Sequence, residues 1–455
     1  MSLLRKEATR RIVFVSRQLA GESLRSARAV KKLEGVCLLG ICEHQPLADV
    51  SAIFDDLICV EDANDAGRLI DAARILREKH GPLERIVTAQ ETLLEPSAQA
   101  CEALGLQGMT AATVRRALDK SCLKRILERA GIGTARDHLI TRDDDARRFA
   151  VEVGYPIVLK PLGGSGGLAT WRVSDDEQLE LALGLMKPST ESAVLAEAYL
   201  RGQELCIDTI TVEDEPRFYS VCCYRPSILE ALENPETLWT CVMPRDIEGE
   251  RYREFIKQGL KAVRALSVGN AVTHMEGFLL EGDGVSFTDA TLRPAGARIG
   301  PMLGFACDID PYAAWARVAV DGCFDGPWER KYAVGTIFLR GQGRGQVARV
   351  CGVESVKRQV GGLLVEARLP RVGAAKSVTY TGDGYITVRH PETRVVEDAL
   401  DLIARTMSIE YSHSESHGPQ VEAAAEHWSQ RILYFDKQLN RPAWDDDTLP
   451  GLDDA

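Results

Sequence analysis

The chain has 455 residues, 45% of them hydrophobic and 27% charged, and a formal net charge of −12. Composition of this kind belongs to a folded globular protein of roughly three domains and excludes wholesale disorder and collagen-like structure. The acidic balance excludes nucleic-acid binding over a broad basic surface, which needs clustered Lys and Arg, but leaves room for a small anion in a local basic site.

Residues 11–110 alternate short apolar strands with helical stretches. Arg11–Val15 reads as a strand, Glu22–Leu33 as a helix and Val36–Cys42 as a second strand. Leu57–Val60 then leads into a helix over Ala66–Lys79, and Arg85–Ala89 into a helix over Pro96–Leu104. Strands and helices in this alternation predict a parallel, doubly wound sheet. The turn after the first strand is SRQLAG, so the glycine fingerprint of a dinucleotide-binding dehydrogenase is missing.

Ala111–Ala130 reads as one helix, unusually basic, and its Arg115, Arg116, Lys120, Lys124, Arg125 and Arg129 are expected on a solvated face. Two strands, Val194–Glu197 and Glu204–Val212, precede a long helix over Arg251–Leu266 and a hairpin over Thr273–Asp289. Residues 331–417 return to strand-rich text, with helices near Val353–Val360 and Val395–Met407. Val421, Ala424, Trp428, Ile432, Phe435 and Leu439 then recur at helical spacing and predict a docking helix. From Gly418 onward eight acids face three bases, so this end supplies −5 of the net charge.

No run approaches the roughly 18 apolar residues that span a bilayer, and the start, MSLLRKEATRR, lacks an apolar signal core. The twelve cysteines form no CxxC pair, which points to buried reduced thiols in a cytoplasmic protein and away from structural zinc.

The stretch 273–300, THMEGFLLEGDGVSFTDATLRPAGARIG, carries the most chemistry. Glu281-Gly282-Asp283-Gly284 is a turn between two apolar runs. Pairing Leu280 with Val285 sets Glu276 opposite Asp289 and His274 opposite Thr291, with Phe278 and Phe287 on the same face nearer the turn. Facing carboxylates repel, and a divalent cation between them removes the conflict. Arg293 extends that face at period two. A second informative stretch, Gly154–Gly167, places Lys160 at the end of an apolar strand just before Gly163-Gly164-Ser165-Gly166-Gly167. Backbone N–H groups of such a loop can approach phosphate oxygens while the lysine supplies charge. The lysine precedes the glycines, so this is not a P-loop.

In this order the motifs resemble the ATP-grasp superfamily, from residue 11 to about 320. The resemblance implies an α/β fold: a Rossmann-like domain over 1–110, linker helices and the small ATP-grasp subdomain over 111–212, and the large subdomain with its metal hairpin over 213–330. A small strand-rich domain over 331–417 and the docking helix with its acidic tail over 418–455 complete it. It implies Lys120, Lys160 and the loop Gly163, Gly164, Ser165 and Gly166 at the ATP phosphates. Glu197, Ala198, Tyr199 and Leu200 would meet the adenine, and Glu204 the ribose. Glu276, Asp289 and Thr291 would hold one or two Mg2+ ions, with Mn2+ as a substitute. The family's usual Glu-x-Asn ending is replaced by Asp289-Ala290-Thr291.

Within the superfamily, Arg293-Pro294-Ala295-Gly296-Ala297-Arg298 is similar to the RPxGG segment of L-amino acid ligases and carnosine-synthase-like enzymes. Biotin carboxylase is disfavoured because no QVEH text follows the hairpin. The implied activity is ATP-dependent carboxylate–amine ligation through an acyl phosphate, on an amino acid or a small carboxylic acid. A carrier-thiol ligase and an inactive nucleotide-binding protein are the alternatives. Arg293 would stabilise the oxyanion, Arg298 would hold an amino-acid carboxylate, and His274 would assist amine deprotonation or serve structure alone. The implied partners are small-molecule substrates and a second copy in a homodimer, with no nucleic acid and no membrane.

Overall fold

The computed structural model describes residues 9–162, 170–282 and 284–413. The glycine loop from Gly163 to Gly167 and the docking helix and tail expected from residue 418 lie outside the described residues.

The first sheet is built from β1 (Arg10–Ser16), β2 (Val36–Cys42), β3 (Asp56–Cys59) and β4 (Arg85–Val87), all parallel in the order β3-β2-β1-β4. Its helices are α1 (Gly21–Lys31), the single turn α2 (Ala48–Ser51), α3 (Ala66–His80) and α4 (Leu94–Leu104). Ile12, Val13, Phe14 and Val15 are all fully buried because both faces of the sheet are covered, which is why β1 reads as a continuous apolar run without alternation. The Asp65 carboxylate caps α3 by accepting from the Gly67 and Arg68 amides.

The basic stretch is two helices, α5 (Ala111–Leu118) and α6 (Lys120–Arg129), not the one expected. Asp119 breaks it: its backbone is extended, and its carboxylate accepts from the Cys122 amide at 2.8 Å, so it caps α6. Nor is the basic face simply solvated, since Lys120 and Lys124 are buried.

A second sheet follows, with β5 (Asp137–Ile140), α7 (Asp143–Val153), β6 (Ile157–Pro161), β7 (Trp171–Val173), α8 (Asp176–Met186) and β8 (Val194–Ala198) in the strand order β5-β8-β6-β7. Ile157, Leu159, Val194 and Ala196 pack under α7 and α8. Strand alternation therefore turns Lys160 and Glu197 to the opposite face.

The largest sheet has eight strands in the order β13-β12-β9-β10-β11-β14-β17-β16. In chain order its elements are β9 (Gly202–Val212), β10 (Glu215–Arg225), α9 (Ile228–Glu233), β11 (Trp239–Met243), α10 (Glu250–Leu266), β12 (Ala271–Leu280) and β13 (Val285–Thr291). The chain continues through α11 (Ile299–Cys307), α12 (Pro311–Ala316), β14 (Ala333–Leu339), β15 (Arg344–Cys351), α13 (Val353–Val360), β16 (Leu364–Arg368), β17 (Gly384–His390), α14 (Thr393–Thr406) and β18 (Ser408–His413). Strands β15 and β18 pair apart from the rest. Helix α10 covers one face together with α5 and α6, leaving the other face of β9, β12 and β13 for the site. Residues 212 and 213 are joined across the tight β9–β10 turn, and β14 pairs with β11, so one sheet runs through the segments expected at 213–330 and 331–417.

In the hairpin, Glu276 faces Asp289 and His274 faces Thr291, as the alternation implies. Nearer the turn the register shifts by one: Gly277 faces Phe287 and Leu279 faces Val285. A bulge at Thr288 is the cause, and it corrects one expectation. Phe287 leaves the face of Phe278 and packs on Phe255 of α10, with ring centroids 5.0 Å apart. Gly133 seats this hairpin, accepting from the Phe287 amide at 3.0 Å. A Cβ on Gly133 would stand 2.2 Å from the Val285 carbonyl oxygen. Gly133→Ala is therefore expected to cost about 1–3 kcal/mol, the scale of overpacking, and thermal melts should show a lower Tm; an unchanged Tm would contradict the close approach.

The cysteines also depart from expectation. All twelve are free, but only seven are buried, and Cys59 and Cys323 are exposed.

Candidate active site

The site begins with a carboxylate between two lysines. Glu197 on β8 lies 2.8 Å from Lys160 of β6 and 2.9 Å from Lys124 of α6. Burial pushes the Glu197 pKa up, but the two ammonium groups outweigh it and hold the carboxyl below its usual range. Lys124 also donates to the Ala135 carbonyl at 2.7 Å. One turn back along α6, Lys120 lies 2.8 Å from Asp289. Its burial opposes the charge, but Asp289, then Glu91 and Glu197, raise its pKa.

Across the cavity, β9 and β12 present a polar face. Glu204, Cys206 and Asp208 pair in register with Phe278, Glu276 and His274. Burial, then the negative charge of Glu276, push the Glu204 carboxyl up to about 8, although it accepts from the Ile228 amide at 2.6 Å. Glu276 lies 3.4 Å from both the Tyr224 hydroxyl and His274 Nε2. His274 Nδ1 is 2.9 Å from Asp208. Burial disfavours the imidazolium, yet Asp208 and then Cys206 raise the His274 pKa well above its ordinary value. With Nδ1 engaged by Asp208 and Nε2 directed at Glu276, this geometry favours holding Glu276 over acting as base. Thr291 is buried, and its Oγ1 has no hydrogen-bond partner among the described residues.

Beyond the hairpin, Arg293 turns toward the first domain. Its Nη2 and Nε donate to Glu91 at 2.8 and 3.2 Å, and Nη1 to the Pro294 carbonyl. Ala297 and Arg298 both have left-handed backbones, at φ 50° and 63°, which swing the Arg298 guanidinium over Tyr385 and onto Glu366, with Glu22 at 3.6 Å.

Six of these side chains meet in one cavity, lined by Lys120, Lys160, Glu197, Glu204, Glu276 and Asp289, with Ala198, Tyr199 and Leu200 along its wall. Residues 119–281 match the family described as the ATP-binding domain of the carbamoyl-phosphate synthase L chain. Alanine–anticapsin ligase of Bacillus subtilis is 24% identical over 246 residues, covering 50% of this chain and 52% of that protein. The chain thus spans about half the length of the curated relatives it matches. In three dimensions the L-amino acid ligase of Bacillus licheniformis superposes with a TM-score of 0.72 at 18% identity, over 89% of this chain and 99% of that one. The carboxyaminoimidazole ribonucleotide synthase of Aspergillus clavatus, solved with ATP, gives 0.64 at 17% identity, over 88% and 99%. This chain has the ATP-grasp fold.

The family match runs from the α6 cap into the ATP-grasp hairpin and takes in Lys120, Lys160, Glu197, Glu204 and Glu276. It stops before Asp289, Thr291, Arg293 and Arg298. The cavity gathers Lys120, Lys160, Glu197, Glu204, Glu276 and Asp289, whereas His274, Thr291, Arg293 and Arg298 are absent from its lining. The sequence pattern gave Lys124, Glu91, Asp208 and Glu366 no role in the site. A signal existed for Lys124, four residues after Lys120 and so on the same helix face; the others are brought in from distant strands and loops.

Neutralising Glu197 should strand two buried ammonium groups. Glu197→Gln is expected to cost roughly 3–5 kcal/mol, and adding Lys124→Met should recover part of the loss in denaturant melts. A second expectation concerns pH. The folded, nucleotide-free protein keeps a proton on Glu204 up to about pH 8, whereas an unfolded chain releases it near 4.5, so stability should fall as pH rises between these values. Glu204→Gln should flatten that decline in melts taken from pH 5 to 8; an identical slope in both proteins would count against the raised pKa.

Proposed function

We propose that this chain is an ATP-dependent carboxylate–amine ligase acting on an amino acid or a small carboxylic acid. The observation that carries the reading is the convergence of Lys120 and Lys160 with the facing carboxylates Glu276 and Asp289 in one cavity. The overall likeness to an L-amino acid ligase supports it.

The oxygen donors of Glu276 and Asp289, together with the unpartnered Thr291 hydroxyl, fit one or two Mg2+ ions, with Mn2+ as a substitute. When bound there, Mg2+ would screen the phosphate charges during phosphoryl transfer. Lys160 and Lys120 would donate to phosphate oxygens, Lys120 exchanging Asp289 for them. A carboxylate oxygen of the substrate attacks the γ-phosphorus, the bond to the β–γ bridging oxygen breaks, and ADP leaves. The amine nitrogen then attacks the acyl carbon, the carbon–oxygen bond to phosphate breaks, and the departing phosphate takes the amine proton. Arg293, released from Glu91, would donate to the oxyanion of the tetrahedral intermediate. Arg298 would receive a substrate carboxylate only by giving up Glu366 or Glu22, while His274 keeps Glu276 in position. In this reading the enzyme works in the cytoplasm; among the described residues no helix is long and apolar enough to cross a membrane.

Purified protein given ATP, Mg2+ and an amino-acid panel is expected to release ADP only with accepted substrates and to yield a product of amide mass. Asp289→Ala should lower turnover at least about a hundredfold with the fold intact by circular dichroism. A thioester product formed on a carrier thiol would move the assignment to a thiol ligase. ATP binding with no stimulated release would leave a nucleotide-binding protein without the activity.

A further inference from the structure

Two thiols meet at the open edge of the first sheet. Strands β2 and β3 are parallel neighbours, β3 lies at the sheet edge, and their last residues, Cys42 and Cys59, are register partners. Adjacent strands lie about 4.8 Å apart and a disulfide spans Cα atoms about 4.4–6.8 Å apart, so the backbones already stand at bridging distance. The side chains lean together, with 3.9 Å from Sγ to Sγ. The two thiols differ in access. Cys59 is exposed and donates to Gln45 Oε1 at 3.3 Å. Cys42 is fully buried and donates to the His44 carbonyl at 3.1 Å. Burial, and then the neighbouring Cys59, push the Cys42 thiol up to about 12. Other cysteines lack one half of this arrangement. Cys206 and Cys222 also face one another, across β9 and β10, but both are fully buried, so no oxidant reaches either. Cys323 is exposed, but its thiol bonds to the Asp321 carbonyl and not to a second sulfur.

We propose that Cys59 and Cys42 are a modification site, a reversible dithiol–disulfide couple oxidised by peroxide. Exposure makes Cys59 react first. Its thiolate sulfur attacks one peroxide oxygen, the O–O bond breaks, and the leaving hydroxide takes up the thiol's proton as water, which leaves a sulfenic acid on Cys59. Cys42 then attacks the Cys59 sulfur, the S–O bond breaks, and the departing hydroxide takes the Cys42 proton as a second water. The two sulfurs together give up one electron pair, and the peroxide receives it. Cys42 needs no path to solvent for its step, because its target is the adjacent sulfur. A dithiol reductant reverses the bond by exchange. Oxidation also takes the S–H donors away from Gln45 and the His44 carbonyl, both on the connection between β2 and α2. The couple stands apart from the ligase reading, since neither nucleotide nor substrate takes part in it.

The test exposes the full-length protein, reduced and freed of reductant, to hydrogen peroxide in the absence of ATP. After catalase, the remaining thiols are capped with N-ethylmaleimide in denaturant and the peptides are identified by mass spectrometry. The expected product is one peptide pair joining Cys42 to Cys59, lighter by two hydrogens, and dithiothreitol should restore both thiols. In Cys59→Ser the loss of the Cys42 thiol should be abolished. In Cys42→Ser the Cys59 thiol should instead accumulate as a sulfenic acid that dimedone traps. Circular dichroism of both variants ensures that folded chains are compared. Cys323 is the exposed control and should form no disulfide within the chain. If Cys42 and Cys59 both remain alkylable at a peroxide dose that oxidises Cys323, the proposal is overturned. A bond from Cys59 to any other cysteine, or an unchanged loss of the Cys42 thiol in folded Cys59→Ser, would overturn it as well.

Discussion

Two buried lysines from different elements are paired by one carboxylate that sits between them. Without Glu197, the ammonium groups of Lys160 and Lys124 would repel each other in a poorly solvated place. With it, β6, β8 and α6 are tied together, and α6 is fixed in rotation. That rotation aims Lys120, one turn away, at Asp289 on the far hairpin. The position of the cavity therefore follows from one charge balance: the small sheet supplies Lys160 and Glu197, the helix supplies Lys120 and Lys124, and the large sheet closes the other side.

The hairpin meets the opposite demand. It holds Glu276 and Asp289 against their own repulsion, with Lys120 on one and the His274–Asp208 pair beside the other. The bulge at Thr288 lets one strand serve two purposes. Asp289 and Thr291 stay on the site face, while Phe287 turns into the α10 core that anchors the hairpin. A regular ladder would have left that aromatic ring among the carboxylates.

The arginines link the site to the rest of the molecule. Arg293 reaches Glu91 beyond the end of β4, and Arg298 reaches Glu366 on β16 and Glu22 on α1. Both side chains are held by acids from parts of the chain remote in sequence, so the chemistry at the hairpin is sensitive to how the first domain and the β16 end of the large sheet are seated.

Most of the fold was legible in the residues themselves. The alternation of β1 to β4 with their helices, the hairpin pairing of Glu276 with Asp289, and Lys160 at a strand end all follow from periodicity and turn chemistry, which are local. The break at Asp119 was also written locally, as a capping side chain, but the basic run around it masked the signal. What the sequence could not show is set by contacts between distant segments. Lys124 became a partner of Glu197, His274 an ion-paired ring, Arg293 a partner of Glu91 and Phe287 a core residue only when sheets and helices closed on one another. Local pattern determines which residues share a face. Which charges then meet across that face, and so which protons and ligands it can hold, is decided by burial and distance, and these exist only in the folded chain.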